Sequence, residues 1–127
     1  MIAKPIVAQN QWNDTGIMLR AGIRYRFGLA EPVDIYDASI HVTTLDGWPF
    51  CWQWVLFTPF LRWWRRRPSD PWFALIGTVD RKNPFRIAKD GQEYVSPANG
   101  QLVCYVNDLP GKYENNKGSI VLRVTEI

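Results

Sequence analysis

The sequence predicts an antiparallel all-β sandwich, and three observations lead there. Several short runs alternate apolar and polar residues with the period of two expected of a half-buried strand. Turn-forming Asn, Asp, Gly and Pro punctuate nearly every such run. The 127 residues, 46% hydrophobic and 21% charged, suit one domain, 1–127, that buries its own core.

Taken in order, the first strand candidates are Pro5 to Gln9 and Gly16 to Leu19, with Asn13-Asp14-Thr15-Gly16 read as a turn between them. In Ile23-Arg24-Tyr25-Arg26-Phe27, the apolar set Ile23, Tyr25 and Phe27 faces a core and the arginines face water. A Pro-containing loop with Glu31, Asp34 and Asp37 precedes a strand from Ser39 to Thr43, which holds the lone histidine, His41. A histidine in a strand run is first a structural residue. Further strands are expected at Phe73 to Val79, Phe85 to Ala88 and Glu93 to Val95, set apart by Asp80-Arg81-Lys82-Asn83-Pro84 and Asp90-Gly91. Gly100 to Val106 is apolar on both faces, as a central strand would be, and follows the turn Pro97-Ala98-Asn99-Gly100. Ser119 to Ile127 alternates again, with Ile120, Leu122 and Val124 on one side and Arg123 and Thr125 on the other.

One stretch departs from this pattern. From Phe50 to Trp64 large side chains follow almost without interruption, and Arg65-Arg66-Arg67-Pro68 closes the block. Trp52, Val55 and Leu56, and then Phe60, Trp63 and Trp64, stand at helical spacing on either side of Pro59, so the block reads as an inserted loop or short helix over roughly 48–72.

Composition excludes several classes. Lys plus Arg exceed Asp plus Glu by 15 to 12, and a net charge of +3 is too small to indicate nucleic acid as a partner. The N-terminus has no apolar secretory stretch, and the Phe50–Trp64 run, broken by Gln53, Pro59 and Arg62, is shorter than the roughly 20 residues of a membrane span. A cytoplasmic protein is expected, with release by a signal-independent route left open, and Cys51 and Cys104 are then expected as buried thiols. Enzymatic constellations are missing: there is no nucleophile elbow, no phosphate loop and no pair of histidines. Asp34 with Asp37, or Glu31 with Asp34, lacks any supporting glycosidase pattern.

The segment richest in chemistry is Asn107-Asp108-Leu109-Pro110-Gly111-Lys112-Tyr113-Glu114-Asn115-Asn116-Lys117-Gly118. Asp108, Asn115 and Asn116 offer three side-chain oxygens and the loop backbone offers more, toward the roughly six to eight oxygens that calcium takes. Lys112 and Lys117 would repel a divalent ion unless they point away. The alternative is a hairpin loop whose Asp and Asn side chains bond their own backbone.

This loop, with Ser119 after it, resembles the C-terminal motif of the PA-IL-type (LecA-like) galactose-binding bacterial lectins. The resemblance is strongest from about Phe73 to Ile127 and extends to Ile6–Phe27 through Val7-Ala8-Gln9-Asn10 and Gly22-Ile23-Arg24-Tyr25. It implies a jelly-roll sandwich and a calcium cofactor whose coordination is completed by hydroxyls of a carbohydrate. It also implies side-chain ligands Asp108, Asn115 and Asn116, a carbonyl from Lys112, and a further carbonyl near Tyr36 or Asp37. Sugar contacts would come from Asp108, Leu109 and Asn115. The family's mid-chain His-Pro-x-x-Gln-Gly segment has no counterpart here, so a galactose-like ligand does not carry over with the motif.

The Trp/Arg-rich block stands in that place. Its indoles can stack on a sugar ring, which nominates Trp48, Trp52 and Trp72, or they can cap one end of the sandwich with Arg65, Arg66 and Arg67 as a solvated rim. The block also suits a protein partner or self-association through Trp52–Arg67, with a membrane surface the weaker reading. The expected function is therefore a non-catalytic, calcium-dependent, lectin-like module. Its competitor is a protein-interaction or structural module on the same fold that has lost sugar binding.

Overall fold

A computed structural model describes residues 2–37, 40–42, 45, 66–67, 74–108, 113 and 116–127. Every regular element among them is a strand: β1 (Ile2–Val7), β2 (Asn13–Leu19), β3 (Arg24–Leu29), β4 (Asp34–Asp37), β5 (Ile40–Val42), β6 (Leu75–Val79), β7 (Lys82–Arg86), β8 (Gln92–Val95), β9 (Gly100–Val106) and β10 (Asn116–Glu126). They form two antiparallel sheets, one of order β5-β4-β10-β3-β8 with β1 also on β10, the other of order β2-β9-β6-β7. The expected short helix, and Trp48, Trp52 and Trp72, fall outside the described residues. No helix among those residues is long and apolar enough to cross a membrane.

β10 organises the first sheet. Its residues Leu122 to Val124 pair with both β1 and β3, and Ser119 pairs with both Val7 of β1 and Asp34 of β4. β3 and β4 therefore follow one another along one edge of β10, opposite β1. Between Leu29↔Leu122 and Asp34↔Ser119, five steps on one side match three on the other, so the strand breaks and resumes. Alternation places Ile120, Leu122 and Val124 in the core with Ile6, Phe27 and Ile35 from the neighbouring strands. Arg24 and Arg26 lie on the exposed face, where both reach Glu93.

β9 is one of the two inner strands of the second sheet and is buried on both faces. Leu102, Cys104 and Val106 point into the sandwich, while Tyr105 packs outward with Ala74, Ile76 and Trp12. The outward face is thus a second, smaller core, explaining why the run shows no polar alternation.

Three local expectations are corrected. Asn13–Gly16 is not a turn but the start of β2, because Asn13 accepts from Val7 N–H at 2.8 Å and donates to the Cys104 carbonyl at 3.2 Å, tying both sheets to this strand. Asp34–Asp37 is a strand rather than loop, held between β10 and β5. The β6–β7 turn is only Asp80-Arg81, both in the left-handed region with φ of 51° and 63°, as a two-residue hairpin demands.

Cys104 is a buried free thiol, and burial pushes it up from 9.0 to about 12. The folded state therefore favours the neutral form. Its contribution is whole below pH 9 and is lost as pH rises toward 12, at up to about 1.4 kcal/mol per pH unit. Melting temperature is expected to fall between pH 9 and 11, and a Cys104→Ala variant, less stable at neutral pH, should show a shallower fall. Iodoacetamide labelling followed by peptide mapping should find Cys104 unmodified in the native protein.

Candidate functional site

The candidate site lies where β9 ends and β10 begins. β9 carries the chain through Val106 to Asn107 and Asp108, 0% and 5% exposed, and β10 opens on Asn116, 2% exposed. Such burial of polar side chains requires partners for them. Asn107 N–H donates to the Ala74 carbonyl at 2.9 Å, and its side chain pairs with Arg67 twice, accepting from N–H at 2.9 Å and donating to the carbonyl at 3.0 Å. The amide thereby substitutes for a strand neighbour.

Asn116 donates through Nδ2 to the Ala8 carbonyl at 3.1 Å and to Asp108 Oδ2 at 3.2 Å. Turning the amide over would press Oδ1 against those two acceptors, so its orientation is fixed by chemistry. Oδ1 is then left as the buried side-chain polar atom without a hydrogen-bond partner among the described residues. Leaving a buried acceptor unpaired costs about 1–3 kcal/mol, and an oxygen beside a buried carboxylate is a suitable ligand for a hard cation.

Three of the residues expected at a metal converge here. Asp108 and Asn116 touch, and β4 runs alongside, pairing Asp37 with Asn116 and Tyr36 with Lys117. The Tyr36 backbone is therefore one ladder step from Asn116, while its side chain is 38% exposed. Lys112, Asn115 and Leu109 fall outside the described residues. Lys117 is exposed on β10 and sits on the alternate position from buried Asn116. Asn116, Lys117 and Gly118 thus belong to a strand, not to the loop in which the sequence reading placed them, because β4 supplies their ladder partners.

The site has a neighbour that sequence reasoning missed. Arg66 N–H donates to the Asp108 carbonyl at 3.1 Å, and Arg66 Nη1 donates to the Tyr113 hydroxyl at 3.2 Å and to the Gln11 carbonyl. Its guanidinium lies 3.4 Å from the Tyr105 ring centroid and 4.3 Å from that of Trp12. Tyr113 in turn donates to the Val106 carbonyl at 2.5 Å, and burial raises its pKa, with Arg66 opposing. Arg66 and Arg67 are half-buried, not the solvated rim expected, because a flat guanidinium stacks on aromatic faces and Arg67 Nη1 reaches the Pro84 carbonyl at 2.6 Å. No residue spacing signals this, since 47 positions separate Arg66 from Tyr113.

Among the described residues, no group of three or more His, Cys, Asp or Glu could hold a metal, and the side chains shown to meet here are the Asn116 amide and the Asp108 carboxylate. That set fits calcium better than a transition metal. No family model matches the sequence, and no curated protein matches it. Among solved structures the chain is similar to the N-terminal domain of EclA, described as a PllA-like lectin. The likeness covers 100% of this chain and 97% of that one, at a TM-score of 0.74 and 15% identity. The two-sheet sandwich is therefore that of a PllA-like lectin, the fold that the loop motif implies.

Proposed function

We propose that this chain is a non-catalytic, calcium-dependent carbohydrate-binding module. Asp108 and Asn116 would supply side-chain oxygens and Tyr36 a backbone carbonyl, with Asn115 and the Lys112 carbonyl completing the protein's share. Bound there, calcium would supply a Lewis-acidic anchor for two vicinal sugar hydroxyls. Asp108, Leu109 and Asn115 would face the sugar, and Trp48, Trp52 or Trp72 would stack on it. The observation that supports this reading most is Asn116 Oδ1, buried beside the Asp108 carboxylate without a hydrogen-bond partner among the described residues. The PllA-like fold supports the ligand class.

The sugar stays open, and a galactose-like ligand is one candidate among several. The competing docking module would present Trp52–Arg67 to a protein. Arg66 and Arg67 are already engaged within the chain, so that reading depends on the residues before them.

Isothermal titration of the purified protein with calcium, then with a panel of monosaccharides, tests the proposal. The expected result is a saturable calcium heat and a sugar heat that appears only after calcium is added. A calcium heat without any sugar heat would favour the docking module, and no calcium heat would reject the lectin reading.

A further inference from the structure

The segment that closes the Trp-rich block reaches the start of the candidate loop and Tyr113 within it. Arg66 N–H holds the Asp108 carbonyl, and Arg66 Nη1 holds the hydroxyl of Tyr113, five residues on. The Asn107 side chain holds the Arg67 main chain in both directions. Tyr113 is itself fixed to the Val106 carbonyl, so Arg66, Tyr113 and the end of β9 form a closed bracket. The guanidinium is seated by Tyr105, Trp12 and the Gln11 carbonyl, which belong to the sandwich rather than the loop.

We infer that Arg66 is a positioning residue for the cation site, bracing Asp108 and Tyr113 against the sandwich so that these two residues are held in place before the ion arrives; this inference rests on the calcium reading above. A loop that must be ordered by its ligand loses affinity to that ordering, and a brace removes the loss. Two effects of Arg66 oppose one another. Its positive charge repels a cation, whereas its hydrogen bonds and stacking fix the ligands. The guanidinium faces Tyr105 at 3.4 Å, and its Nη1 donates to two neutral acceptors, the Gln11 carbonyl and the Tyr113 hydroxyl. The charge is also spread over a planar group close to solvent, where screening is strong. Bracing therefore outweighs repulsion.

Coupling of this kind is reciprocal: a brace that tightens the ion is itself tightened by it. The Arg66 and Arg67 amides donate to Asp108 and Asn107, so their hydrogen exchange reports the bracket directly.

The test uses the full chain and three variants, Arg66→Met, Arg66→Lys and Arg81→Met. Arg81 also lies over Trp12, at 5.0 Å, but pairs with Asp14 and serves as the control. Calcium affinity is read by titration, and exchange of the Arg67 amide and its neighbours is read by NMR with and without calcium. Both Arg66 variants are expected to raise the calcium Kd about tenfold and to speed exchange in calcium-free protein, while Arg81→Met changes neither. Calcium should slow the same amides in the wild type. An unchanged or tighter Kd in Arg66→Met overturns the inference, as does unchanged exchange in the calcium-free variants. If the wild type takes up no calcium, the metal reading and the coupling fall together, and unchanged exchange would then remove the brace as well.

Discussion

Asp108→Ala is expected to abolish the proposed calcium stabilisation while leaving the calcium-free fold close to wild type. The carboxylate is the charged member of the proposed donor set, so without it the remaining proposed ligands are neutral amides and carbonyls, a poor match for a doubly charged ion. At calcium concentrations a hundredfold above Kd, linkage raises wild-type stability by about 2.7 kcal/mol, and the variant should show none of this. In the calcium-free protein the substitution removes the acceptor of the Asn116 Nδ2 bond at 3.2 Å, but Nδ2 keeps the Ala8 carbonyl. The loss should stay within about 1 kcal/mol. Paired thermal melts with calcium and with chelator decide the matter. Equal destabilisation in both conditions would mean that Asp108 works only as a turn-forming side chain.

Gly118→Ala should damage the fold and the site together. Gly118 has φ of +88°, and a Cβ there would lie 2.7 Å from the Asp34 carbonyl oxygen and 3.2 Å from Ile35 Cα. Both obstacles are backbone, so no side-chain rotation relieves them. Left-handed strain and the displaced ladder together should cost on the order of 2–4 kcal/mol. The affected ladder is β10 with β4, the pairing that brings Tyr36 and Asp37 beside Lys117 and Asn116. Calcium affinity should therefore drop in whatever fraction stays folded. Urea denaturation at constant m-value measures the first effect, and a loss below about 0.5 kcal/mol would contradict this account of the close approach.

Much of the sandwich was legible because alternation reports burial wherever one face meets water. Tyr25 and Phe27 against Arg24 and Arg26, and Ile120, Leu122 and Val124 against Arg123, sort to the faces that their polarity assigns. Legibility failed where a side chain replaces the expected ladder partner. Asn13 imitates a turn residue in sequence, yet its amide bridges Val7 and Cys104 from within β2. Asn107 does the same for Arg67. β4 was hidden because it is short and charged at both ends, and takes its order from β10.

The site divides along the same line. Asp108 and Asn116 were nominated by residue type within one loop, and the fold brings them into contact. The bracket around them was invisible because it joins Arg66, Tyr105, Trp12 and Tyr113 across distant parts of the chain. Aromatic and Arg-rich composition suggested a partner surface or a solvated rim, and it did not reveal that the Arg66 guanidinium stacks on Tyr105 or that the Arg67 main chain pairs with Asn107.

In the proposed site, Asn116 Oδ1 and Asp108 share a calcium ion. A crystal structure of the protein grown with calcium, with anomalous data to identify the ion, tests it most directly. An anomalous peak is expected at about 2.3–2.6 Å from Asn116 Oδ1 and from an Asp108 carboxylate oxygen. Calcium-saturated crystals in which Asn116 Oδ1 instead bonds water, with no anomalous peak beside it, would contradict it.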